Sequence, residues 1–158
     1  MTDVGDAYYP SSLDGDKGTV PKGRYTATVV DLSVSENVKF GKHIADIFKP
    51  VYTIDKQDHP PYDGCSVIDN GIFRYKKVGD SPYDHSKNWG FAKYLSLMGL
   101  RKEDGEGGQL PFLYLNDIKG AVVLIDVTIK RFMNDLDSEI AYSVCRTIQL
   151  QNKPEVPF

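Results

Sequence analysis

The chain has 158 residues, a length that suits one domain with its own core and is too short for two ordinary domains. Hydrophobic residues make up 41% of the chain and charged residues 26%. No stretch approaches the roughly 18 consecutive apolar residues of a membrane span, and residues 1–20 are too acidic for a secretory signal, so we expect a soluble cytoplasmic protein that does not bind membranes. The net charge of −3 resides in the first twenty residues, which hold four aspartates and one lysine. The neutral remainder can bind a polyanion only if its cations gather on one face.

Three segments differ in composition. Residues 1–20 are rich in Gly, Asp and Ser, which predicts a flexible acidic arm. Residues 21–150 carry the periodic apolar patterns of a folded domain, and residues 151–158 form a short tail with two prolines.

The first half of the domain predicts three strands. Alternating, β-branched composition over Gly23–Val34 predicts strand one, and the apolar run His43–Ile54 predicts strand two. The polar segment Ser35–Lys42 between them is predicted to be a long hairpin loop. Two prolines and a glycine make Asp55–Gly64 a loop, after which strand three is expected around Cys65–Tyr75.

The second half predicts one helix and two further strands. Apolar residues at helical spacing predict a helix over Asn88–Met98, with Gly99 after its end. Alternation predicts strand four over Gly120–Lys130 and strand five over Ile140–Leu150. The fold class is therefore all-β with one helix: a five-stranded OB-fold barrel, with the helix between strands three and four.

Three segments resemble phage OB-fold single-stranded DNA-binding proteins: Pro21–Ala27, the helix end Tyr94–Leu100, and Lys119–Gly120 leading into an aliphatic strand. The resemblance covers most of residues 21–150. It implies sequence-tolerant binding of single-stranded DNA during phage replication or recombination, in the cytoplasm of the host cell.

The last four residues, Glu155–Phe158, are similar to the tip of bacterial single-stranded DNA-binding proteins, which ends in Pro-Phe and recruits replication partners. The family's run of aspartates is missing here, and Lys153 is basic. The similarity implies that Pro157 and Phe158 bind replication or recombination proteins.

Single-strand binding without sequence readout needs cations for phosphates and aromatic faces for bases. Basic and aromatic residues interleave in three clusters, at residues 39–42, 73–77 and 130–132. We expect phosphate contacts from Lys39, Lys42, Arg74, Lys76, Lys77, Lys130, Arg131 and Arg146. We expect base stacking on Phe40, Phe73, Tyr75 and Phe132.

Aromatic residues in small barrels more often fill the core than face solvent. We assign four of them, which lie in apolar surroundings, to the core: Phe48, Tyr52, Phe91 and Phe112. Phe40 and Phe132 lie in turn-rich contexts and are predicted to face solvent. For Trp89, at the start of the helix, the sequence does not decide between a core position and a solvent-facing one.

Catalytic motifs are not found. The chain has no HExxH, GxSxG, GxxxxGK[ST] or GxGxxG pattern, and Cys65 and Cys145 form no CxxC pair, so we expect reduced structural cysteines and no enzyme or cofactor. The densest set of metal-ligand types is Asp58, His59, Asp63 and Cys65, but it spans a proline-rich loop and we expect no metal there.

A second class of function stays open. OB-like barrels host several functions, so the same fold would suit a protein-interaction or virion-structural module. The zero net charge of residues 21–158 favours this second class. The sequence leaves open the oligomeric state and the choice between DNA and RNA.

Overall fold

The computed structural model describes residues 20–55, 62–79, 81–82, 85–100, 109–133 and 139–152. Most of them lie in strands: β1 (Gly23–Phe40), β2 (His43–Ile54), β3 (Ser66–Asp69), β4 (Ile72–Val78), β5 (Ser81–Pro82), β6 (Val122–Met133) and β7 (Glu139–Asn152). A 3-10 turn (His85–Asn88) leads into helix α1 (Trp89–Leu97), and the four-residue helix α2 (Leu115–Ile118) precedes β6. The predicted mostly-β structure, with its main helix before the last two strands, is confirmed.

Strand pairing joins the two ends of the domain. β1 pairs antiparallel with β6 through its N-terminal residues and with β2 through the rest of its length. β6 pairs antiparallel with β7, and β7 pairs in parallel with β3. β2 pairs antiparallel with β3 through its C-terminal half and with β4 through its N-terminal half. The short β5 pairs with the end of β4.

The first hairpin is longer than the sequence predicted. β2 has the predicted bounds, but β1 continues to Phe40, so the predicted loop over Ser35–Lys42 is wrong. The strands meet in a two-residue turn in which Gly41 adopts a φ of 62°, a geometry that glycine tolerates and that suits the twist of a hairpin. A bulge between Ser35 and Val38 takes up extra residues, with Asn37 at a φ of 54°.

The predicted third strand is divided. Gly71 has a φ of 120°, which side chains rarely adopt, and it separates β3 from β4. The Asp69 Oδ1 atom accepts a hydrogen bond from the Gly71 N–H at 2.8 Å and fixes this junction. β3 can therefore reach β7 while β4 continues along β2.

Alternate residues of the strands form the core, and α1 covers it. Along β6, Val123, Ile125 and Val127 are fully buried, as strand alternation requires. From α1 and its end, Phe91, Leu95 and Met98 are buried at the predicted helical spacing. The four aromatic residues assigned to packing are confirmed in the core: Phe48, Tyr52 and Phe91 are fully buried and Phe112 packs against them, partly buried.

Both cysteines are buried and unpaired, and burial raises the pKa of the Cys145 thiol well above its ordinary value.

In the part of the chain that the structure describes, no helix has the length and apolar character needed to cross a bilayer.

Candidate functional site

Four aromatic rings meet where the β1–β2 hairpin lies beside β4: Phe40, His43, Phe73 and Tyr75, which we call the aromatic cluster. The Phe40 ring contacts Phe73 and Tyr75 edge-on, with centroids 5.9 and 6.0 Å apart. The Phe73 and Tyr75 rings are stacked, with centroids 5.9 Å apart and an angle of 27° between their planes. All four residues are half-buried, so the cluster is a partly exposed aromatic surface.

Strand register explains why these rings meet. Residues opposite one another in an antiparallel pair point to the same face, and successive residues alternate. Phe40 is opposite His43, and on β4 Phe73 and Tyr75 are opposite Ile47 and Ala45. Phe48, the residue after Ile47, points into the core, so the cluster lies on the opposite face of β2 and β4, which we call the outer face.

His43 is held in one orientation. Its Nδ1 atom accepts a hydrogen bond from the Gly79 N–H at 3.0 Å, and its ring lies edge-on to those of Phe40 and Tyr75. The sequence offered no motif around this histidine. A two-residue turn at Gly41 and Lys42 pairs the residues on either side of it, so only knowledge of that turn would have placed His43 opposite Phe40.

Two lysines border the outer face at the β3–β4 junction. A β-carbon added to Gly71 would lie 3.4 Å from Phe73 Cε1 and 3.7 Å from Lys49 Cε, so the Lys49 side chain lies close to the cluster. Lys130 Nζ donates a hydrogen bond to Asn70 Oδ1, which brings the end of β6 to the same junction. Both lysines are exposed at the surface. Lys130 was predicted, whereas Lys49 was missed because it sits alone in an apolar run.

The junction rests on a buried carboxyl. Burial raises the pKa of Asp69 to about 7, while the Gly71 N–H and the positive charge of Lys49 act in the opposite direction. Asp69 is 4% exposed, so its ionisation takes place within the protein interior.

Arg74 does not belong to this surface, contrary to prediction. It is 8% exposed, because alternation along β4 turns it to the side opposite Phe73 and Tyr75. Its Nη1 lies 2.9 Å from Asp46 Oδ2, its Nε donates to the Leu110 carbonyl, and its guanidinium lies 5.8 Å from the centroid of the Phe112 ring. These contacts make Arg74 an interior structural residue, so it cannot offer phosphate the contact that the sequence predicted.

Lys76 also has protein partners. Its Nζ lies 3.2 Å from Asp46 Oδ1 and donates to Asn37 Oδ1 at 2.8 Å. The Asn37 N–H donates to the same carboxylate at 3.0 Å. Asp46 is fully buried, so this network ties the bulge of β1 to β2 and β4. Lys76 therefore positions the hairpin that carries Phe40, and its predicted phosphate contact competes with these bonds.

The remaining predicted cations are exposed. Lys39 and Lys42 flank Phe40, Lys77 follows Tyr75 on β4 by two residues, and Arg131 follows Lys130. By strand alternation, Lys39 lies on the side of the ribbon opposite Phe40. Arg146 is on β7, 3.9 Å from Asp126 of β6, and among the described contacts none joins it to the aromatic cluster.

Phe132 lies in β6 opposite Ile140, but its side chain is outside what the structure describes, as are Pro157 and Phe158. Asp58 and His59 of the loop weighed for metal also lie outside the described residues. Within the described ranges, no three His, Cys, Asp or Glu side chains are grouped as metal ligands would be.

Comparison of the chain with protein-family models, with curated proteins and with solved structures finds no match.

Proposed function

We propose that the protein is a non-enzymatic, sequence-tolerant binder of single-stranded DNA, and that its outer face holds the strand. The observation that carries this proposal is the convergence of Phe40, Phe73 and Tyr75 on one partly exposed surface bordered by lysines. Aromatic faces stack bases of any identity, and cations track the backbone, which is the chemistry that single-strand binding requires.

We further propose that the domain is an OB-type barrel. Support comes from the pairing circuit β1–β2–β3–β7–β6–β1, in which only the β3–β7 pair is parallel. The main helix falls between the third strand, formed by β3 and β4, and the fourth, β6. In OB-folds the second and third strands and the neighbouring loops bind oligonucleotides. Three of the four cluster residues, His43, Phe73 and Tyr75, lie on these strands, and Phe40 is the last residue of β1, beside them.

The cations that support this proposal are those nearest the cluster. Lys49 and Lys130 border it at the β3–β4 junction, and Lys42 lies in the turn beside Phe40. Their proximity supports binding of a polyanion although residues 21–158 carry no net charge, because attraction of phosphate depends on the local charge of the binding surface.

The resemblance to phage single-stranded DNA-binding proteins supports a role in phage DNA replication or recombination within the host cytoplasm. Recruitment of replication or recombination proteins by Pro157 and Phe158 is the second part of this proposal. It rests on the sequence of the tail alone.

The test is fluorescence anisotropy of a labelled oligo-dT titrated with the protein, with the duplex of the same length as a comparison. Phe73→Leu removes one aromatic face and keeps an apolar side chain, so it should lower oligo-dT affinity about 5- to 150-fold, the loss of one stack. Tyr114→Leu, which also replaces an aromatic ring with leucine but at an exposed position beside α2, is the matched control and should bind like wild type. Equal binding by Phe73→Leu and wild type would exclude the cluster as the site.

The alternative is a protein-interaction or virion-structural module. It is favoured by the neutral body and by Val30 and Val34, apolar side chains on β1 that are 40% and 37% exposed. A protein that binds no oligonucleotide at low salt would fit this alternative.

A further inference from the structure

Trp89 is the only tryptophan of the chain, and it is exposed. Its exposed fraction is 69%, although tryptophan is on average among the most buried side chains. The next core residue of the same helix, Phe91, is fully buried, so α1 packs on the core while its first residue points outward. The core does not use the Trp89 ring.

Two lysines lie close to Trp89 in the sequence. Lys87 precedes it by two residues and Lys93 lies one helical turn after it, and both are exposed. Residues 85–100 contain no Asp or Glu that would repel a phosphate. A β-carbon added at Gly90 would meet nothing within 4 Å, so the helix surface at the residue after Trp89 is open.

Asn88 fixes the start of α1 to the edge of β4. Its Oδ1 accepts the Tyr75 N–H at 2.6 Å, and its Nδ2 donates to the Tyr75 carbonyl at 3.0 Å. Asn88 is fully buried, and its amide thus pairs with β4 as a neighbouring strand would. Trp89 is therefore the residue next to one bonded to Tyr75, whose ring belongs to the aromatic cluster.

We propose that Trp89, with Lys87 and Lys93, continues the single-strand surface past the edge of β4 and stacks a base of the bound strand. This inference rests on the proposed function. On this proposal, a strand that crosses Phe40, Phe73 and Tyr75 continues past the β4 edge to the exposed Trp89, which has a lysine on either side of it in the sequence. Stacking on the indole and phosphate pairing with the lysines need no particular base, in keeping with sequence-tolerant binding.

The experiment uses the full chain and two readouts in one titration with oligo-dT of about 20 nucleotides. Anisotropy of the label reports binding, and tryptophan emission excited at 295 nm reports Trp89 alone, because the chain has one tryptophan. We expect the emission to be quenched in step with the anisotropy. Trp89→Ala should bind oligo-dT about 5- to 150-fold more weakly than wild type. Trp89→Phe keeps an aromatic ring and should retain most of the wild-type affinity. Tyr114→Ala is the control, since Tyr114 is an exposed aromatic residue next to α2.

The outcomes separate this inference from the proposed function. Binding by anisotropy with unchanged tryptophan emission, and with Trp89→Ala equal to wild type, would overturn the role of Trp89 and leave the outer face as the site. A blue shift that depends on protein concentration, without oligonucleotide, would show that a second copy covers Trp89 and would also overturn it. Absence of binding at low salt would overturn both.

Discussion

Asp69 gives the protein a pH-dependent stability that one substitution should remove. Burial raises the pKa of this carboxyl from 3.8 to about 7, since the charged form is poorly solvated beneath the β3–β4 junction. The difference of about 3 pKa units corresponds to about 4 kcal/mol, the upper limit of what the ionised carboxylate costs the folded state.

The direction follows from the raised pKa. In the folded protein Asp69 keeps its proton to higher pH than in the unfolded chain. This contribution to the free energy of unfolding is therefore fully present below about pH 4 and lost as pH rises through about 7. Asp69→Asn is neutral at every pH, and its amide oxygen can still accept the Gly71 N–H. At pH 8 the variant should be more stable than wild type by up to about 4 kcal/mol, and the advantage should disappear near pH 4.

The assay is urea unfolding of both proteins at several pH values from 4 to 8. The difference between the two unfolding free energies is the relevant quantity, because it cancels the titration of all other groups. An Asp69→Asn variant that is less stable than wild type by the same amount at every pH would refute the reasoning, since the carboxyl would then act through hydrogen bonds and not through its charge.

Two further predictions concern the supports of the outer face. Arg74→Met should lower the free energy of unfolding by about 3 kcal/mol, because it leaves the buried Asp46 with one cationic partner, and urea unfolding at pH 7 measures the loss; a change below 1 kcal/mol would contradict an interior role. Asn88→Ala should cost about 2 kcal/mol through its two hydrogen bonds to Tyr75. In that variant the Tyr75 amide should lose protection from hydrogen exchange. Unchanged protection would argue against the hydrogen bond from the Tyr75 N–H to Asn88.

The apolar run of β2 could be predicted from the sequence, and the core residues Phe48, Tyr52 and Phe91 could be predicted from their apolar surroundings. The end of β1 could not, because the three polar residues 35–37 and the bulge between Ser35 and Val38 interrupt the alternation before Val38 and Phe40. The tight turn at Gly41 depends on a backbone conformation that a single glycine in the sequence is not enough to predict.

The candidate site was found in part. Phe73, Arg74 and Tyr75 were grouped because they are neighbours in sequence, yet consecutive strand residues point to opposite faces. Strict use of this parity would have separated Arg74 from the two rings, and Asp46 within the apolar run of β2 marked the partner it would need. Lys49 lies on the same face as Ile47, the partner of Phe73, but the sequence does not give the β2–β4 register that brings them together.

The most direct test of the single-strand surface is the dependence of oligo-dT affinity on salt. If Lys42, Lys49 and Lys130 each neutralise one phosphate, the logarithm of the binding constant should fall against the logarithm of salt concentration with a slope of about −2 or steeper. Lys49→Gln should reduce the steepness by about 0.7, whereas Lys119→Gln, at an exposed position beside α2, should leave it unchanged. Equal slopes for wild type and both variants, or no binding at low salt, would contradict the assignment of the outer face as the nucleic-acid surface.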